Sequence, residues 1–328
     1  MKEYWAAFGV AVVAAMVAAL VLMWPRLRRP PEAEAPMASS SAAPVTSRKR
    51  VPAASAPRRP KPSPGALCPI DMIHIEGVFC PFVAHRCAAY LGTEPDSSGA
   101  PEPEDEERRC QRYHDDLFCE GRPSELSFCV DRYEYPNLQG VKPAIMVSYD
   151  EAERACSREG KRLCEAAEWI FACEGDKSWP YPYGIERTTG TCNVDRRPLR
   201  PDEEALATPR EVSVEVERLD QRVASGALAG CKSPFGVFDT TGNVAEWVHN
   251  REGDPEEEPY ETVLAGGAWG RVRATCRRLD ATHRADYQSV QTGFRCCRDP
   301  LDGRKARRLW PSTMRLPKRR KLLNKAVP

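Results

Sequence analysis

Cys276 closes the stretch GGAWGRVRATC, Gly266 to Cys276, behind two glycines, a tryptophan and two arginines. A cysteine in such a place is either a working thiol in a substrate groove or half of a structural disulfide. A second candidate is GVFDTTGNVAEWV, Gly236 to Val248, where Asn243 and Glu246 set an amide oxygen and a carboxylate three residues apart on a glycine-bearing turn. Hard oxygen donors of this kind, completed by backbone carbonyls, suit calcium. The competing reading is a turn capped by Asn243, with Glu246 paired to an arginine. The five histidines, His74, His85, His114, His249 and His283, are scattered and form no H-x-x-x-H or H-x-x-E ligand set. Neither a nucleophile elbow nor a phosphate loop occurs.

All 14 cysteines lie between Cys68 and Cys297. An even, dense set points to disulfides and an oxidising compartment, and the absence of any C-x-x-C pair argues against a zinc domain. Before them, Trp5 to Trp24 is a run of 20 residues without a charge. As a helix it would span roughly 30 Å, the hydrocarbon core of a bilayer. The flank MWPRLRRPP has no small-residue cleavage site, so residues 1–24 read as an uncleaved transmembrane anchor rather than a signal peptide. Arg26, Arg28 and Arg29 after the run would by themselves keep the C-terminal side in the cytoplasm. Cysteine usage argues the other way, and the expectation is a membrane-anchored, extracytoplasmic domain in a bacterial periplasm or on a cell surface.

Pro25 to Gly65 holds 10 prolines among 41 residues, the composition of an extended tether. Arg304 to Pro328 carries 10 Lys or Arg and no acid, within a basic, disordered tail expected over 301–328. Residues 66 to 303 carry a net charge of −16, so the overall +1 hides an acidic domain between two basic arms. A disulfide-rich, anchored protein of this kind is not expected to bind nucleic acid.

Within the domain, residues 66–300, IDMIHIEGVF (Ile70 to Phe79) partly alternates and meets a glycine, which reads as a strand and turn. Gly92 to Glu107 is a polar loop. Ser148-Tyr149-Asp150-Glu151 is a capping box opening a short helix that Gly160 can close. In EAAEWIFAC, Ala166, Trp169, Ile170 and Cys173 share a helical face before Gly175. EVSVEVERL alternates Val212, Val214 and Val216, the pattern of a strand. So much loop in one domain needs staples, which the cysteines can supply.

In this order, IDMIHIEGVF, FCVDRYEYPN (Phe128 to Asn137), VSYDEAERAC, GKRLCEAAEWIFAC, GVFDTTGNVAEWV, LAGGAWG and TGFRCC (Thr292 to Cys297) resemble the formylglycine-generating enzyme family, also called sulfatase-modifying factors. The resemblance covers about residues 66 to 299. It implies an α+β domain of low regular secondary structure, a disulfide-stapled variant of the C-type-lectin-like fold. It also implies a structural calcium bound by the side chains of Asn243 and Glu246 and the carbonyls of Gly242 and Val244, with Asn193 opening a second, more divergent calcium loop. Cys156 and Cys296 match a family disulfide. Cys173 falls on another bridged position whose family partner is Ala281 here, leaving Cys276 or Cys297 as candidate partners.

Family members that oxidise a substrate cysteine hold copper between two cysteines five residues apart, a soft pair for a soft ion. Here the second is Cys276 and the first is Arg271, and a guanidinium that never deprotonates is no substitute for a thiolate. Ala268 stands where those enzymes carry a serine. Copper is therefore not expected, and Cys276 reads as structural. The expected function is a non-copper binding or scaffolding module, holding an envelope protein or peptide in the former active-site groove. An oxidoreductase acting on a protein cysteine or other thiol is the alternative. Arg271, Arg273, Arg277 and Arg278 form a basic cluster near that groove, suited to an anionic ligand or to balancing the acidic domain.

Overall fold

The computed structural model describes residues 66–91 and 109–303, apart from 121, 252 and 254–258. They belong to one compact unit, Arg59–Pro328. The apolar run Trp5–Trp24, the proline-rich tether, the polar loop Gly92–Glu107 and the tail beyond Gly303 lie outside the described residues. Among those described, no helix is long and apolar enough to cross a membrane.

Among the described residues, ten strands and four helices frame long loops. Strands β1 (Met72–Phe79) and β4 (Ser124–Asp131) pair antiparallel along their full length, and β10 (Cys296–Arg298) and β5 (Arg162–Leu163) complete a sheet ordered β1-β4-β10-β5. A second sheet runs β8-β7-β6-β9, from β6 (Ala245–His249), β7 (Thr262–Ala265), β8 (Leu279–Asp280) and β9 (Thr292–Phe294). The small ribbon β2 (Cys87–Tyr90) and β3 (Cys110–Tyr113) stands apart. The fold is α+β with little regular structure.

Helix α1 (Tyr149–Arg158) begins as its residues dictate. The Ser148 side chain accepts from the Glu151 N–H while Glu151 reaches back to the Ser148 N–H, satisfying two orphan donors at the helix start. Helix α2 (Ala166–Glu174) is not the one-faced helix expected: all nine of its residues are buried. It touches β1 and β4 of one sheet and β6 and β7 of the other, so no face is left for solvent.

Two local expectations fail. β1 does not turn at Gly77 but runs through it to Phe79. A Cβ there would lie 2.8 Å from Phe171 Cζ, so glycine serves the close approach of α2 rather than a turn. EVSVEVERL is helical, not extended: after α3 (Glu203–Ala207), α4 covers Val212–Leu219. Val212, Glu215, Val216 and Leu219 turn inward at i, i+3, i+4 and i+7, while Val214 is 68% exposed. Arg218 clasps Glu215 one turn away, and the Asp202 N–H donates to the same carboxylate.

The 14 cysteines form seven disulfides and none is free. Cys156 is bridged to Cys296, tying α1 to β10, and Cys164 to Cys297 beside it. Such a density suits an extracytoplasmic or secreted domain.

Candidate functional site

The stretch that ends at Cys276 begins with a hairpin-like reversal after β7. Gly266 has φ +82, and a Cβ on it would meet Thr240 O and Trp169 Cη2, both at 2.8 Å. Backbone thus packs directly on α2, and the following residues pass under the loop after that helix, where the Cys276 N–H donates to Pro180 O. Cys276 is buried and bridged to Cys173 of α2, with a Cα–Cα separation of 5.4 Å. Its sulfur is therefore neither a thiolate nucleophile nor a free soft donor. Arg271, the other position of the expected pair, is exposed, and Ala268 is buried. The donors do not fit copper.

The arginine cluster divides. Arg277 is bidentate to Glu174 at 2.7 and 2.6 Å, donates to Cys80 O and Pro81 O, and covers the Phe79 ring. Burial pushes the Glu174 carboxyl up to about 7 against the pull of Arg277. Arg278 lies 3.7 Å from Asp280. These two side chains are committed within the domain and Arg273 is also engaged, whereas Arg271 stands exposed.

The second candidate lies where β6 begins, with Glu246 paired across the strands to Ala265. Glu246 points inward, and both its oxygens accept from Arg295 at 2.6 Å, with Trp169 Nε1 adding a third bond at 2.8 Å. Asn243, at φ +54, caps the neighbouring loops. Its Oδ1 accepts from Asn193 Nδ2 and the Val223 N–H, and its Nδ2 donates to both oxygens of Glu134. Asn193 Oδ1 in turn accepts from Arg196 Nε at 2.7 Å. The side chains of Asn243 and Asn193 are thus engaged with protein partners, and Glu246 carries a guanidinium.

Sequence reasoning missed two residues here. Glu134 and Asp239 are both buried and feel the field of Glu246. Burial, then the charges of Asp239 and Glu246, hold Glu134 well above the usual carboxylate range. Asp239 is pushed up to about 6 by burial and by Glu246, against Arg295 and the Gly226 N–H. Three buried carboxylates around the single guanidinium of Arg295 leave negative charge uncompensated. A cation here would have to take its carboxylate contact from Asp239, since both Glu246 oxygens are held by Arg295. The legible signal was an aspartate inside the otherwise apolar and small turn VFDTTGNV. No group of three or more His, Cys, Asp or Glu converges for a metal among the described residues, so backbone carbonyls would have to complete any such shell.

Four of the five histidines make separate contacts within the domain. His74 meets Ser127, His249 the Tyr149 hydroxyl, and His283 stacks on Tyr287. His85 bonds Ser178 O, and burial lowers it to about 4.

A groove of about 780 Å³ opens between the segment that follows β1 and the loop after α2. Val78, Val83, Leu117, Phe118 and Trp179 line it, with Asp115, Asp176 and Lys177 among them. Cys276, Ala268 and Arg271 are not part of it.

A family model described as the sulfatase-modifying factor enzyme 1-like domain matches residues 130–300. An inactive C-alpha-formylglycine-generating enzyme 2 from Bos taurus is 26% identical over 164 residues, 47% of this chain and 49% of the relative. A formylglycine-generating enzyme from Mycobacterium tuberculosis is 26% identical over 189 residues, 49% of this chain and 58% of the relative. The chain thus spans about half the length of the curated relatives it matches. The structure of PvdO from Pseudomonas aeruginosa aligns with a TM-score of 0.41 and 17% identity, over 70% of this chain and 94% of that one.

Proposed function

The chain belongs to the sulfatase-modifying factor enzyme 1-like family, and from that premise we propose that it is a non-copper member serving as a binding or scaffolding module. One observation carries this reading: Cys276 is buried in a bridge to Cys173. With Arg271 at the partner position and Ala268 in place of the serine, three features of the expected oxidising centre are altered together. The remaining surface near that centre, with Arg271 outermost, suits an envelope protein or peptide carrying an acidic group.

Calcium is part of the same proposal. The side chain of Asp239, with the carbonyls of Gly242 and Val244, would hold it, while Glu246 stays with Arg295 and Asn243 braces the turn through Glu134. When bound, the ion supplies positive charge that offsets buried carboxylates and stiffens the loop. Trp5–Trp24 would anchor the domain to a bacterial membrane, facing the periplasm or the cell exterior. A C-terminal reporter active only in the cytoplasm would refute that orientation.

The test of function uses the full chain, incubated with copper(I), oxygen and a cysteine-containing peptide. The expected result is no stoichiometric copper uptake and no oxidation of the peptide cysteine. Conversion of that cysteine to formylglycine would overturn the reading and restore the oxidoreductase.

A further inference from the structure

The groove beside β1 has the make-up of a docking site rather than of packing left unfinished. Val78 is 57% and Phe118 55% exposed, so its walls present apolar area to solvent. Asp115 and Asp176 on its lining make no hydrogen bond or ion pair among the described residues. Lys177 is turned over the Trp179 ring at 5.0 Å. An occupant must therefore bring positive charge together with apolar side chains.

We propose that this groove is the docking site of the chain's own cationic tail, Arg304 to Pro328. The inference is independent of the state of Cys276. The tail carries 10 Lys or Arg and no acid, with Trp310, Met314, Leu316 and Leu322 among them. Its basic groups complement Asp115 and Asp176 and a domain of net charge −16, and its apolar side chains match the groove walls. Reach is sufficient. The Leu301 N–H donates to Leu67 O at 2.7 Å, which puts the tail's exit near the start of β1, whereas Val78 lies at its far end. Eight strand residues span about 27 Å, and 25 extended residues reach roughly 80 Å. A tethered segment of this length experiences an effective concentration on the order of a millimolar, so even a dissociation constant of about 0.1 mM fills the groove.

Hydrogen exchange of the full chain against a chain ending at Gly303 tests this. In the full chain, amides of residues 78–83, 115–119 and 176–185 should exchange about fivefold more slowly. A synthetic 304–328 peptide at about 1 mM should restore the protection to the shortened chain. The double variant Asp115→Asn, Asp176→Asn, with its tail intact, should lose most of the protection, as should the full chain at high salt. Equal exchange with and without the tail would overturn the proposal. So would protection that scales with protein concentration, which would mean a second copy's tail, or protection indifferent to the two aspartates.

Discussion

Both carboxylate oxygens of Glu246 lie 2.6 Å from nitrogens of the Arg295 guanidinium, each side chain being about 1% exposed. β6 and β9 are parallel neighbours, and this pair, between β6 and the residue that follows β9, joins the sheet to the turn that would carry calcium. Glu246→Gln should cost about 3–5 kcal/mol, because it breaks the bidentate, charge-assisted hydrogen bonds of a fully buried ion pair. A double replacement, Glu246→Leu with Arg295→Met, should recover most of that loss in urea unfolding. Equal losses in the single and double variants would show that the pair contributes packing alone.

The Cys173–Cys276 bridge closes a sequence separation of 103 residues. Chain-entropy estimates for a loop near 100 residues give about 4.7 kcal/mol. Cys173→Ala, Cys276→Ala and the double variant should therefore lose similar stability, on the order of 4–5 kcal/mol, rather than add. Thiol titration of the native wild type should find no reactive cysteine. A rapidly alkylated Cys276 would contradict the bridge.

Asp239 should dominate the calcium response. With ligand at a hundredfold excess over its dissociation constant, stabilisation is about 2.7 kcal/mol. The melting temperature should rise in calcium over chelator, and Asp239→Asn should remove most of that rise. Asn243→Ala should lower stability in both conditions while leaving the calcium increment. An unchanged increment in Asp239→Asn would exclude this residue as a ligand.

In chelator the same aspartate imposes a pH dependence. Its folded pKa of about 6 lies above the ordinary 3.8, so the native state binds the extra proton. The stability it supports is present below pH about 3.8 and is lost as pH rises through about 6. Asp239→Asn should thus gain on the wild type across that window, by up to about 3 kcal/mol, and level off above it. His85 runs opposite, since its lowered pKa removes stability as pH falls from 6.5 towards 4. Only the difference between variant and wild type isolates Asp239. A difference that stays flat with pH would sink the assignment.

Gly77→Ala should destabilise by about 1–3 kcal/mol, the usual penalty of overpacking, since the added methyl meets Phe171 Cζ at 2.8 Å. Pairing it with Phe171→Leu should relieve part of the loss. A neutral Gly77→Ala would place the constraint elsewhere.

What the sequence by itself determined were features with short-range causes. The capping box at Ser148 and Glu151 and the strand at Met72–Phe79 are set by neighbours within a few residues. The cysteine count implied bridges because redox chemistry depends on composition and compartment, and the order of motifs placed the chain in its family. The tertiary structure alone decided what depends on residues far apart in the chain. Val212–Leu219 has a pattern that serves strand or helix, and burial of Glu215 and Leu219 selected the helix. Cys173 had two candidate partners until Cys297 was taken by Cys164. Asp239 carries no local mark beyond its place in a turn, and only the burial of Glu134, Glu246 and Arg295 around it made its charge consequential. Local propensity is written in adjacent residues, whereas desolvation and pairing are properties of the packed interior.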